Sequence, residues 1–419
     1  MSSNSELATP PAAIPRWLSI VGIGEDGADG LSAAARELIQ SADIVFGGAR
    51  HLSLAASLIR GTTRAWLRPF ERNVAEVLAL RGQAVCLLAS GDPFLHGVGN
   101  LLAGHVAAEE TTVVPAPSAF SLAASRLLWP LAQVTQISLC GRPLELLRPH
   151  LHPGARLLAL TSDEHSPAAI AKLLVEAGCG DSRCIVLEAL AGPRERIRSV
   201  RASDFNLDDI DRLNTVAIEV VAGPQARVLS HSSGLADALF EHDGQLTKHE
   251  VRALTLSALA PEHGELLWDV GAGSGSVSIE WLLADPSLTA IAIEHRADRV
   301  ARIRRNASAF GVPHLQLIEG SAPDAIAGLP APNAIFIGGG ATAPGLIDAA
   351  QTALLSKGRL VVNSVTLETE AILLERYARF GGTLTRIDIA HADGIGGEHA
   401  RLSGWRAAMP IVQWRWVKP

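Results

Sequence analysis

The sequence is poor in cysteine: 419 residues hold four, Cys86, Cys140, Cys179 and Cys184. None forms a C-x-x-C pair, so neither a zinc site nor a disulfide framework is expected, no metal is expected, and a reducing compartment fits. Positive charge is also scarce. Lys and Arg number 36 against 43 Asp and Glu, a formal net charge of -7. A binder held to nucleic acid by phosphate contacts needs the opposite balance, so no nucleic-acid partner is expected. No apolar run reaches the ~18 residues of a membrane helix, so no membrane partner is expected. The N-terminus carries Glu6 and no basic-then-apolar pattern, which leaves no signal peptide to expect. Residues 1–15 hold Ser, Pro and Ala with little pattern and read as a disordered tail. What the chain does have is apolar mass, 48% hydrophobic residues against 19% charged, which suits folded cores. At roughly 100–200 residues per domain, two domains are the natural division. The expectation is a soluble, cytoplasmic, two-domain protein.

From Trp17 onward, short apolar runs alternate with amphipathic stretches. Strands are expected at 18–23, 85–89, 112–114, 137–140, 157–161, 185–187 and 216–221. Helices are expected at 33–41, 101–109 and 167–177. That alternation reads as α/β with a largely parallel sheet. Residues 229–243, with serines, glycine and several charges, read as a linker, although 235–240 also suits a helical turn. A second α/β unit then runs over 244–419, with strands expected at 266–270, 289–294, 315–319, 334–337 and 359–363. Thr247 followed by Glu250 has the spacing of a capping box, ahead of the apolar stripe Val251, Leu254, Ala258 and Leu259.

The strongest motif is Asp269-Val270-Gly271-Ala272-Gly273-Ser274-Gly275, an apolar strand ending in a glycine-rich turn. Glycines take positive φ and let backbone approach a ligand, and N–H groups at a helix start hold an anion. Dinucleotide folds prefer G-x-G-x-x-G. Here the spacing is G-x-G-x-G with an acid ahead, which resembles the first motif of Rossmann-like S-adenosylmethionine methyltransferases. Glu294 closes the next strand, where the two oxygens of one carboxylate suit a vicinal diol. Gly320, Ser321 and Ala322 follow the third strand, where adenine usually packs in such enzymes.

A closer resemblance lies in Gly244-Gln245-Leu246-Thr247-Lys248-His249-Glu250-Val251-Arg252 followed by "WDVGAGSGSVSIEW". From 244 to about 410 the chain is similar to the precorrin methyltransferase/decarboxylase family of cobalamin synthesis. That resemblance implies S-adenosylmethionine contacts at Thr247, at Gly271, Ala272, Gly273, Ser274 and Gly275, at Glu294, and at Ser321 and Ala322. It implies a tetrapyrrole pocket beside Gly338, Gly339 and Gly340. Thr247 also has the simpler role of a helix cap.

The first half carries "LSIVGIGEDG", "GGARHL" and "CLLASGDPFLHGVG". Gly22 and Gly24 sit after strand one, and Gly91, Asp92, Pro93 and Gly97 after another strand. Over residues 16–228 this combination resembles the tetrapyrrole methyltransferase family, whose two α/β lobes bind S-adenosylmethionine between them. The family usually reads P-G-x-S-S where this chain has Pro115-Ala116-Pro117-Ser118-Ala119, so Ser118 takes the contact position.

The fold class implied is therefore α/β, an N-terminal two-lobed tetrapyrrole-methylase fold plus a C-terminal Rossmann-like methyltransferase fold. The fused pair implies two methyl transfers to precorrin-6B, at carbon 5 by the first domain and carbon 15 by the second. It also implies loss of the carbon 12 acetate carboxylate as CO2, giving precorrin-8. Family analogy adds a homo-oligomer. Decarboxylation needs a proton donor. Lys248, Glu250, His391 and His399 stand in the implied region, each with a plain reading as cap, surface or loop residue. Arg252, Arg296, Arg299, Arg302, Arg305 and Arg401 are arginines able to meet substrate carboxylates, although 296–305 also reads as a solvated helix face. Three rivals stay open: a methyltransferase for RNA or protein, an active second domain carried by a non-catalytic first one, and an NAD enzyme.

Overall fold

The computed structural model describes residues 16–395 and 402–419. The tail expected at 1–15 lies outside them, as do His399 and Arg401. Two compact units divide the chain. The first takes residues up to Arg142 and Pro153–Pro224; the second takes Pro143–His152 and Gln225–Pro419.

In the first unit, β1 (Leu18–Ile23), β2 (Ile44–Gly47), β3 (Thr62–Ala65), β4 (Val85–Ser90) and β5 (Thr111–Val114) form one sheet in the order β3-β2-β4-β1-β5. Every pairing is parallel. Continuous apolar runs such as 85–89 suit strands covered on both faces. Helices α1 (Ala33–Ser41), α2 (Ala49–Leu54), α3 (Arg72–Leu78) and α4 (Gly99–Leu102) make the crossovers. Ser32 caps α1, its Oγ accepting from Ala35 N at 3.2 Å. The helix expected over 101–109 is instead the single turn α4, because Gly104 follows at φ +84 and turns the chain away.

Helix α5 (Ala119–Leu127) leads to the second sheet of this unit, β6 (Thr135–Ser138), β7 (Arg156–Leu160), β8 (Arg183–Glu188), β9 (Arg196–Arg201) and β10 (Asn214–Glu219). The order is β6-β7-β10-β8-β9, and only β6 and β7 pair in parallel. The largely parallel sheet expected from strand–helix alternation thus holds for the first lobe and fails for the second. The crossover through α6 (Ser166–Glu176) leaves a gap between β7 and β8, which the returning β10 fills antiparallel. A short connection turns β8 back into β9.

The second unit is a seven-stranded sheet. Its strands are β11 (Leu266–Val270), β12 (Thr289–Glu294), β13 (Gln316–Glu319), β14 (Ala334–Ile337), β15 (Arg359–Ser364), β16 (Thr383–Ile387) and, after a two-stranded ribbon of β17 (Ala390–Ile395) and β18 (Leu402–Ala407), β19 (Ile411–Val417). The order is β13-β12-β11-β14-β15-β19-β16. Five strands are parallel and β19 is antiparallel to both its neighbours. Helices α7 (His249–Leu259), α8 (Ser276–Ala284), α9 (Ala297–Ala309), α10 (Leu346–Ala353) and α11 (Leu367–Phe380) complete it. The strand order reverses at β11, between β12 and β14, and open α/β sheets bind ligands at the carboxyl ends of such strands.

The segment read as a linker packs into this unit. Leu229, Leu235 and Phe240 are buried in its core, and 237–239 form one 3-10 turn. The amides of Gly234 and Leu235 donate to the Glu280 carboxylate at 2.7 and 3.0 Å. Residues 143–152 cover the end of α9, so closely that a Cβ on Gly311 would stand 2.4 Å from Pro149 Cδ.

Candidate active sites

In the second unit a cavity of about 940 Å³ lies over the carboxyl ends of β11, β12 and β14. Gly271 and Gly273 turn the chain at φ +72 and +62 along its wall. A Cβ on Gly271 would meet Gly339 O at 2.8 Å, so the two glycine loops touch backbone to backbone. Gly275 also has positive φ, but it faces inward: its Cβ would stand 2.6 Å from Ile303. Ser274 is buried too, its Oγ without a partner among the described residues. Thus Gly271, Ala272 and Gly273 line the cavity, while Ser274 and Gly275 support the turn from behind.

Glu294 ends β12 with both carboxylate oxygens accepting from backbone. Oε2 accepts from Gly273 N at 3.0 Å and Oε1 from Arg296 N at 3.1 Å. His295 Nδ1 also lies 3.1 Å from Oε1, and a carboxylate has about four acceptor positions, so capacity remains for a diol. Ser321 and Ala322 line the cavity nearby. Asp269, ahead of the loop, is almost wholly buried. Its Oδ2 accepts from Ser278 N at 3.1 Å, and Oδ1 has no partner among the described residues. Burial foremost, with the nearby Glu294 charge, pushes its pKa up to about 6. A glycine cradle and a carboxylate at a strand end, on a partly apolar cavity, suit a charged nucleoside.

Thr247 does not cap α7. The helix starts at His249 with Lys248 at the cap position, and no side chain caps it. Thr247 stands one residue too early, lines the cavity, and accepts a hydrogen bond at its carbonyl from Arg252. The structure brings Glu250 and His391 together: His391 Nε2 on β17 lies 3.3 Å from Glu250 Oε1, and His249 Nε2 lies 3.2 Å from the same oxygen. Lys248 lines the same cavity with its Nζ 3.8 Å from Asp237.

The arginines do not meet the expectation of free carboxylate receptors. Arg252 is fully buried and bound to Glu280 and Asp237. Arg299 and Arg302 pair with Asp243, Arg296 with Asp298, and Arg305 with Glu241. Of these five, Arg299 alone lines the cavity. A charged helix needs counter-ions, and the segment before it supplies them.

The first unit has its own cavity of about 420 Å³ between its two sheets. Gly24, Gly91, Asp92, Gly97 and Ser118 line it. Gly22 and Pro93 do not. Gly22 serves backbone packing, since its Cβ would fall 1.9 Å from Gly91 O and 2.5 Å from Ala116 N. Pro93 backs the loop, with Gly97 pressed against its carbonyl. Asp92 Oδ1 accepts from Phe94 N at 2.9 Å, and Ser118 caps α5 by accepting from Ser121 N at 3.1 Å. A cluster that motif reading passed over also lines this wall: Glu25, Arg50, His51 and Ser90. Arg50 and His51 lie inside "GGARHL", a motif with no sequence signal that separates its side chains from ordinary helix residues.

A reversed-order sheet with a glycine cradle and an acid at the neighbouring strand end, joined to a second unit with its own cleft, is the arrangement of a two-domain methyltransferase. Residues 238–418 match the precorrin methyltransferase domain family, and residues 18–206 match the tetrapyrrole (corrin/porphyrin) methylases. The chain is 57% identical over 416 residues to a precorrin-6Y C(5,15)-methyltransferase [decarboxylating] of Sinorhizobium sp, with 99% of each chain covered. It is 40% identical over 404 residues to the protein of that name in Mycobacterium tuberculosis (strain CDC 1551 / Oshkosh), covering 95% of this chain and 99% of that one. A crystal structure of the C-terminal domain of precorrin-6Y C5,15-methyltransferase from Rhodobacter capsulatus shares 48% identity, covering 45% of this chain and 100% of that chain, with a TM-score of 0.43. The chain belongs to the decarboxylating precorrin-6Y C(5,15)-methyltransferase family. Precorrin methyltransferases of this family use S-adenosylmethionine as methyl donor.

Proposed function

We propose that this chain methylates precorrin-6B at carbons 5 and 15 and removes the carbon 12 acetate carboxylate as CO2, yielding precorrin-8. The first unit serves carbon 5; the second serves carbon 15 and the decarboxylation. The observation that carries this is the 57% identity running through 99% of both chains, across two units that each hold a cavity. The reading places the enzyme in the cytoplasm as a homo-oligomer, acting on a small molecule. The net charge of -7 supports leaving nucleic acid out. No helix among the described residues is long and apolar enough to cross a membrane.

S-adenosylmethionine supplies an electrophilic methyl group on a sulfonium sulfur. In the second unit, Glu294 would hold the ribose hydroxyls, Gly271 to Gly273 the amino-acid end, and Ser321 and Ala322 would flank the base. Gly338 to Gly340, which also line the cavity, leave room for a flat macrocycle. Holding a carbon in line with the methyl group supplies several kcal/mol without covalent catalysis.

The proton balance then assigns work to side chains. Each methylation replaces C–H by C–CH3 and releases a proton. Decarboxylation turns –CH2–COO⁻ into –CH3 and consumes one. Of the proton-donor residues named from the sequence, Glu250 and His391 lie 3.3 Å apart on the cavity wall and handle these protons; Lys248, on the same wall, meets substrate carboxylates.

The test is mass spectrometry of the tetrapyrrole after incubating the purified chain with precorrin-6B and S-adenosylmethionine. Two methyl groups gained and one CO2 lost is the expected result. One methyl with CO2 loss would identify the first unit as a scaffold. An unchanged tetrapyrrole, from protein that binds S-adenosylmethionine, would overturn the substrate.

A further inference from the structure

Methylation at carbon 5 releases a proton, and the first unit holds a group arranged to take it. At the cavity wall His51 Nε2 lies 2.8 Å from Ser90 Oγ and 2.8 Å from Arg50 Nη2. Arg50 Nη2 also lies 2.8 Å from Ser90 Oγ, and Arg50 Nη1 is ion-paired with Glu25. Arginine only donates, so the hydrogen-bond pattern assigns Nε2 as acceptor and the ring as neutral, with its hydrogen on Nδ1. Burial first, and the Arg50 charge second, lower the His51 pKa to about 4. The charged groups around it are Arg50, Glu25 and, 3.5 Å from Glu25, Arg194; Asp92 and His96 line the same cavity from the loop after β4. The Nε2 lone pair thus faces both Arg50 and Ser90, while Nδ1 is buried without a partner among the described residues.

We propose that His51, acting through the Ser90 hydroxyl, accepts the proton that carbon 5 gives up on methylation. The inference rests on the assignment of carbon 5 to the first unit. A ring π pair forms the new C–CH3 bond, and the S–CH3 pair stays on sulfur. The macrocycle is left cationic, with an acidic C–H at carbon 5. Ser90 Oγ takes that proton while passing its own to His51 Nε2, and the C–H pair restores the ring double bond. The imidazolium, beside Arg50, then releases its proton to water. A weak base suffices because the cationic ring is a strong acid. Glu25 offsets the Arg50 charge while His51 is protonated.

The test uses the full chain carrying His51→Gln, which keeps hydrogen-bonding atoms near Arg50 and Ser90 but cannot take a proton. Transfer of the carbon 5 methyl should slow about hundredfold or more. Precorrin-6B deuterated at carbon 5 should show a primary isotope effect in the variant that the wild type lacks. S-adenosylhomocysteine should still bind at two sites per chain. Ser90→Ala should show the same isotope effect with a smaller loss of rate. Wild-type rate in H51Q overturns the proposal. So does loss of one S-adenosylhomocysteine site, because His51 would then shape the loop. Wild-type enzyme that leaves carbon 5 unmethylated while methylating carbon 15 overturns the domain assignment instead, and the inference with it.

Discussion

Glu294 and Gly273 are joined by a hydrogen bond of 3.0 Å from the glycine amide to the carboxylate, so the acid that ends β12 also fixes the glycine loop. Glu294→Gln keeps the shape and puts an amide N–H where one oxygen accepts from backbone. A hydrogen bond to a charged group contributes about 1.5–3 kcal/mol. One of the two S-adenosylhomocysteine sites should therefore weaken about ten- to hundredfold, while the site in the first unit stays unchanged. Calorimetric titration resolves the two. Two unaltered sites would remove Glu294 from the binding surface.

Arg252 matters for stability rather than for substrate. Its guanidinium is fully buried, 2.5 Å from Glu280, over the Phe240 ring, and bonded to the carbonyls of Leu235 and Thr247. Removing one member of a buried pair leaves the other charge uncompensated, at about 3–5 kcal/mol. Arg252→Met should lower the unfolding midpoint of the second unit and leave carbon 5 methylation intact. Arg252→Lys should rescue little, since lysine cannot make the forked contacts. A variant that is fully stable yet binds precorrin-6B poorly would restore Arg252 as a carboxylate receptor.

Much of this was legible in the sequence where one local signal decided the outcome. The expected bounds 33–41, 266–270, 289–294 and 334–337 match α1, β11, β12 and β14 to the residue. Ser32 and unbroken apolar runs act within a few residues. The antiparallel half of the first unit was not legible, because β10 takes its place between two strands far away in the chain. The arginines misled for a related reason. Arg299 and Arg302 meet Asp243, which sequence pattern assigned to a linker. Ser274 and Gly275 belong to a binding motif, yet positive φ at Gly275 turns them toward α9. Glu250 and His391 were legible singly; their contact depends on the ribbon of β17 and β18 folding back to α7.

That contact makes a prediction about chemistry. Glu250→Gln retains a hydrogen-bonding side chain next to His391 but removes the carboxylate to which the proposal gives the proton transfer. Decarboxylation should fall about hundredfold or more, the scale of general acid catalysis. Binding of S-adenosylhomocysteine should persist at both sites, because Glu250 meets His249 and His391 rather than Glu294 or the glycine loop. Lys248→Met should raise the KM for the tetrapyrrole more than it lowers kcat. Normal CO2 release by E250Q, followed by mass spectrometry, would transfer the proton donor elsewhere on the cavity wall.

Two buried groups should tilt the pH dependence of stability in opposite directions. The Asp269 pKa rises from 3.8 to about 6 on folding. Between those values the folded chain holds a proton that the unfolded chain has lost, so this residue's contribution falls as pH rises. His51 goes from 6.5 to about 4. There the unfolded chain binds the extra proton, so its contribution is lost as pH falls from 6.5 toward 4 and is fully present above that window. Urea unfolding at pH 5 and pH 7 separates them. Relative to wild type, Asp269→Asn should fare better at pH 7 than at pH 5, and His51→Gln better at pH 5 than at pH 7. Variants that track the wild type in parallel at both pH values would mean that neither side chain changes its proton affinity on folding.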